Sequence, residues 1–129
     1  MAARKMTHAV DPKKTIQEAI GDISKIELFN NQVLAAIYMR PEKSAGGIIY
    51  TDRARDEDKW QGKVGLIVKM GPVAFQGDDE WFKGVNVKVG DWVIFRPSDG
   101  WQLEINGHPC RVLNDVSVKG KIPTPDVVW

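Results

Sequence analysis

The chain has 129 residues, 43% of them hydrophobic, enough for one domain with one core and too few for two. Its 18 basic and 17 acidic side chains leave a net charge of +1, so no long-range field draws in nucleic acid or an anionic membrane surface. The single cysteine, Cys110, excludes an internal disulfide and suits a reducing, cytoplasmic setting, and no apolar run approaches the ~20 residues that cross a bilayer.

The start, Met1-Ala2-Ala3-Arg4-Lys5, is basic, but no apolar signal core follows it, and Arg and Ser are too sparse for a transit peptide. Residues 1–25 read as an N-terminal extension. Asp11-Pro12 is a turn or helix-entry pair. Thr15-Ile16-Gln17-Glu18 fits a capping box, in which hydroxyl and carboxylate satisfy each other's backbone amides. Ile16, Ala19, Ile20 and Ile23 share roughly one helical face, and Gly21 stops the helix early. A helix this short is marginal without tertiary packing, so a docking helix and a frayed tail both stay open.

From Ile26 the period changes to that of strands. Ile26-Glu27-Leu28 and the nearly continuous apolar run Val33 to Met39 read as strands, with a bend at Asn30-Asn31, and Pro41 ends the second. A long loop of about residues 41–59 follows. Within it, Lys43-Ser44-Ala45-Gly46-Gly47 is small and pliant, Ile48-Ile49-Tyr50 is an apolar triplet, and Asp52 to Lys59 is almost all charge. Such a charged run cannot fold on its own, and loops this long in compact domains are usually functional. The triplet is therefore either a short strand edge of the domain or an apolar plug that packs on a partner. A phosphate loop is not expected, because no Gly-Lys-Ser/Thr follows the Gly pair.

Trp60 to Gly71 is the next strand. Val64, Leu66 and Val68 alternate with Lys63, Gly65 and Lys69, Ile67 breaks the pattern, and Gly62 and Gly65 predict a bulge or tight bend. Gly71-Pro72 turns into a roof-like hairpin of about residues 71–86. There Phe75, Trp81 and Phe82 form either a satellite cluster or a contact surface for a neighbouring subunit. Val87-Lys88-Val89 is a short alternating piece, Gly90-Asp91 a turn and Trp92 to Phe95 a buried strand. Trp101 to Ile105 alternates cleanly, Asn106-Gly107 is a two-residue hairpin turn and Cys110 to Leu113 returns. Val116-Ser117-Val118 is a last strand, and residues 123–129 form a tail that Pro123 and Pro125 keep extended. Short strands, Gly-rich turns and almost no helix predict an all-β, small irregular barrel.

No catalytic constellation stands out. His108-Pro109-Cys110 brings a thiol near an imidazole, but no orienting acid is evident. Asp78-Asp79-Glu80 lacks calcium-loop spacing, and one Cys with two distant His cannot build a structural zinc site. No metal or other cofactor is expected. Five Trp are better spent on core and interface packing than on stacking bases, given the absence of a basic groove.

Three segments resemble the GroES-type co-chaperonins, the lids of the chaperonin cage. Ser44 to Thr51 is similar to the family's mobile loop, in which Gly-Gly precedes an aliphatic triplet. Gly62 to Gly71 is similar to its Gly-x-Val strand, and Val87 to Phe95 to its Val-Lys-x-Gly-Asp-x-Val strand. The resemblance spans about residues 26–122. It implies a GroES-like β-barrel, a seven-subunit homo-oligomeric ring and docking on the apical domains of a GroEL-type chaperonin. By position, Gly46 and Gly47 would permit the bound turn, and Ile48, Ile49 and Tyr50 would be the chaperonin-binding residues. Strands near Ile26 and Val118 would pair between neighbouring subunits. ATP would belong to the partner alone, and the protein would be no enzyme. Tyr50 replaces a residue that is usually aliphatic, and Glu27 to Gln32 lacks the family's Pro-Leu-x-Asp-Arg. A ring-forming structural barrel without chaperonin binding, for example a viral assembly component, is the alternative, and a barrel for single-stranded nucleic acid a third reading.

Overall fold

The computed structural model describes residues 11–39, 63–76 and 82–125. Its elements are helix α1 (Pro12–Ile20) and strands β1 (Gln32–Ile37), β2 (Val64–Met70), β3 (Trp92–Phe95), β4 (Trp101–Ile105), β5 (His108–Asn114) and β6 (Val118–Ile122). The strands form one six-stranded sheet in the order β4-β5-β1-β2-β3-β6, with every neighbouring pair antiparallel. The expectation of a small all-β fold holds.

β1 is central, and its alternation sends two sets of side chains to two buried layers. Val33, Ala35 and Ile37 pack with Ile67, Ala74, Val93, Phe95 and Leu113. Leu34, Ala36 and Tyr38 pack with Val64, Leu66, Trp92, Cys110 and Ile122. A strand buried on both faces has no polar alternation to show, hence the near-continuous apolar run. On the first layer the sheet curls. β5 and β3 are separated by two strands, about 14 Å in a flat sheet at ~4.8 Å per step. Yet the guanidinium carbon of Arg111 on β5 lies 5.6 Å from the centroid of the Phe95 ring on β3. Phe95 lies on Gly65, where a Cβ would sit 3.1 Å from both the ring edge and Ala35 Cβ. Gly65 thus lets the ring approach the backbone closely, while the bulge in β2 lies further on, at Val68. The residue that breaks the β2 pattern, Ile67, faces this layer. A register shift opposite Leu34/Ala35 leaves Val68 as an extra residue, so Val68 and Lys69 both turn toward the second layer.

The second layer is covered by α1, whose Ile16 and Ile20 are 4% and 2% exposed. Asp11 caps the helix, its carboxylate accepting from Lys13 N at 3.0 Å, and Pro12 opens it. The Thr15–Glu18 capping box is corrected: Thr15 lies one turn inside, and its hydroxyl donates back to Asp11 O. The Asp11 carboxylate won because Pro12 suits the first helical position directly after it. Gly21, at φ +69°, ends the helix as expected.

Other differences are local. Ile26 to Leu28 is not in a strand within this subunit, and Val87 to Val89 runs into a turn. The last strand starts at Val118, because Asp115–Ser117 forms a 3-10 turn first. That turn exists for its carboxylate. Asp115, 2% exposed, accepts from Asn31 Nδ2 (2.9 Å) and from Phe75 N (3.0 Å), while its own amide donates to Asn31 O. One side chain so ties the entry of β1 to the turn after β2, where Phe75 sits at φ +59°. Phe75 meets Phe82 edge-on at 5.9 Å, part of the satellite cluster expected there; Trp81 lies outside the described residues. The Asn106-Gly107 turn has φ of +51° and +81°, as a type I′ hairpin requires.

Asp115→Ala leaves two half-buried donors without an acceptor, a loss of about 1–3 kcal/mol. It is expected to lower the urea midpoint with an unchanged slope, while Asp115→Asn, which keeps one acceptor, loses less.

Candidate functional site

Gly46, Gly47, Ile48, Ile49 and Tyr50 lie outside the described residues, which stop at Met39 and resume at Lys63. What the structure describes is the root from which their segment leaves and to which it returns. Tyr38, 1% exposed, donates its amide to Val64 O at 2.9 Å, closing the ladder between β1 and β2 one residue beyond β1. Its ring meets Trp92 edge-on, 5.7 Å between centroids at 89°. Trp92 sits on β3 opposite Leu66 and Ile122. On the return side, Phe95 N donates to Lys63 O at 3.0 Å. Three strands thus hold the two ends of one connection side by side.

His108, at the start of β5, adds a fourth tie. Its Nε2 lies 2.9 Å from Ile37 O. A carbonyl only accepts, so Nε2 carries the proton. Burial holds this imidazole below its ordinary 6.5, and the bond to Ile37 works in the opposite direction. Cys110, two residues on, is buried, and burial pushes its thiol up to about 11. Its Sγ contacts His108 O at 3.5 Å. A protonated thiol beside a histidine that is engaged elsewhere is no nucleophile. Among the described residues, no group of three or more His, Cys, Asp or Glu is placed to hold a metal, and no helix is long and apolar enough to cross a membrane.

Arg111 is the charged centre of the inner layer. Its Nη1 donates to Pro97 O and to Asp99 O, the latter at 3.2 Å, and so fixes the turn between β3 and β4. Burial lowers its pKa and Asp99 raises it; a guanidinium nonetheless stays charged. At the other end of the sheet, an open groove of about 620 Å³ runs between Ser24–Asn30 and Lys69, Met70 and Pro72. Here the extended segment after α1 passes without a strand partner in this subunit, and Phe29 is 66% exposed.

Residue patterns alone did not single out Tyr38, Trp92, His108 or Arg111 as supports. Tyr38 looked like one more member of an apolar run. Nothing in the order of residues links it to Trp92 or His108, which arrive from β3 and β5.

The described residues form a small all-β subunit in which β1, β2 and β3 hold the two ends of the β1–β2 connection side by side. The family model described as the chaperonin 10 Kd subunit matches residues 25–122, and the chain belongs to that family. Among its relatives is the co-chaperonin GroES of Parvibaculum lavamentivorans, 33% identical over 96 residues, which are 74% of this chain and 87% of that protein. The co-chaperonin GroES of Halothermothrix orenii is 33% identical over 89 residues, 69% of this chain and 87% of its own. That of Hyphomonas neptunium is 29% identical over 96 residues, 74% and 95%.

Because the His108 imidazole is held below 6.5, the unfolded chain takes up a proton more readily than the folded one. Stability is then complete above 6.5 and falls as pH drops through that value. Urea midpoints measured from about pH 8 to about pH 5 are expected to fall, and to fall less in His108→Gln, which keeps a donor for Ile37 O without titrating.

Proposed function

We propose that the chain is a co-chaperonin, a lid subunit that assembles into a ring and caps a GroEL-type chaperonin to assist protein folding in the cytoplasm. The match of the family model over residues 25–122 carries this reading. The relatives reported above all bear the name co-chaperonin GroES, which does not favour a purely structural ring. The subunit catalyses no reaction of its own, and ATP is used by the partner.

Docking runs through the β1–β2 connection. Ile48, Ile49 and Tyr50 enter an apolar groove on an apical domain, and Gly46 and Gly47 permit the turn they adopt there. Burying the three side chains contributes ~1.5–3 kcal/mol each. Ordering about six residues costs ~1–2 kcal/mol per residue, so the two totals nearly cancel. One subunit therefore binds weakly. Seven on one ring make later contacts intramolecular, with an avidity gain of ~10²–10⁴. Weak single sites also let the lid leave when the partner changes state. The segment near Ile26, which is in no strand, and the position of β6 at the end of the strand order among the described residues support pairing between neighbouring subunits, the contact that closes the ring.

Ile49→Asp is expected to weaken capping by at least ~10², read as loss of ATP-dependent co-sedimentation with a GroEL-type chaperonin, with the ring intact by light scattering. Capping that survives the substitution removes Ile49 from the docking site. Absence of any ATP-dependent association of the unaltered protein overturns the co-chaperonin reading itself.

A further inference from the structure

Helix α1 lies ahead of residues 25–122, the span that the family model matches. It is nevertheless built into the subunit. Ile16 and Ile20, four residues apart on one face, belong to one buried cluster with Leu34, Ala36, Tyr38, Leu66, Trp92 and Cys110. Ile23 packs at the edge of the same cluster. Two side chains grip the end of the helix and the segment after it. Asn106 Nδ2, from the β4–β5 turn, donates at 2.6 Å to Ile20 O, the last helical carbonyl, at the end where a helix leaves its acceptors unsatisfied. Lys69 Nζ, from β2, donates at 3.1 Å to Ile23 O, three residues beyond the helix, a carbonyl that also accepts from Ile26 N. The opposite face, Lys14, Gln17 and Glu18, is exposed.

We propose that this sheet face is a seat for an amphipathic helix and that α1 is its own-chain occupant, a strap over the root of the β1–β2 connection. Nine residues are too few for a helix that stands alone, so α1 holds its form only while seated. The seat includes both members of the Tyr38–Trp92 pair. Lifting the strap uncovers the side chains that anchor the root, so seating of α1 and closure of the Tyr38–Val64 hydrogen bond are coupled. The coupling lies within the subunit and does not depend on what the connection docks against.

The test uses the full chain. The double substitution Ile16→Glu, Ile20→Glu would put two carboxylates into the seat and release α1. Asn106→Gly keeps a residue suited to positive φ and removes only the amide that holds Ile20 O. A labelled peptide of residues 11–24 is titrated against each protein, and amide exchange is followed at Tyr38 and across residues 12–20. The double variant is expected to bind the peptide about tenfold or more tightly than the unaltered chain, whose seat is filled by its tethered strap. The same peptide with both isoleucines replaced by glutamate binds neither protein. Exchange at Tyr38 rises in the double variant and falls again with peptide, and Asn106→Gly speeds exchange across 12–20 by about fivefold. A folded double variant that ignores the peptide, or whose Tyr38 exchange is unchanged, overturns the proposal. If the double variant does not fold, unchanged exchange across 12–20 in Asn106→Gly overturns it.

Discussion

β1 is hidden on both faces, and a strand so placed needs two covers. In a single layered sheet, one face is usually left to water. Here the inner cover comes from curling the sheet until Phe95 and Arg111 meet across it. The outer cover comes from a helix that precedes the sheet in the chain. Each cover is apolar in its body and secured by a few polar ties. Arg111 holds the turn at Pro97 and Asp99, Asn106 holds the end of α1 and Lys69 the segment after it. Apolar burial supplies the bulk of the free energy and cannot by itself choose one arrangement; the hydrogen bonds do that.

The same division of labour serves function. A lid that must come and go needs a subunit that does not deform while its contacts form and break. The described root is stiff: backbone ties at Tyr38 and Lys63, an aromatic pair beneath them and an imidazole on Ile37 O. The proposed contact residues belong to the connection between β1 and β2, outside the described residues.

How much was legible in the residues varied with the range of the interaction. Turns with local chemistry read well: Asn106-Gly107 needs positive φ at both positions, and Pro12 and Gly21 bracket the helix. The apolar run of β1 read as a strand, and it is one, buried on both faces. The N-cap was misread because Thr15-x-x-Glu18 and Asp11-Pro12 offer competing starts, and local pattern does not rank them. Ile26 to Leu28 has strand composition, but a strand exists only where a neighbour pairs with it, and none does among the described residues. Asp115 gave no warning at all. A lone acid before Val116-Ser117-Val118 looks like surface, and its burial depends on Asn31 and Phe75, 84 and 40 positions away. Of the site, the residues proposed to touch a partner were visible as an apolar triplet in polar surroundings. The supports beneath them were not, since they come together only when β3 and β5 flank β1 and β2.

The extra residue at Val68 has a genetic corollary. The bulge absorbs it, so Lys69 follows Val68 onto the second layer, its Nζ reaching Ile23 O, and Met70 still meets the first. Were Val68 deleted, Ala35 would still face Ile67, Leu34 would face Lys69 and Val33 would face Met70, so neither Lys69 nor Met70 would change sides. This one point in β2 should therefore accept a change of length, and lineages of this protein should differ there in count as well as spelling.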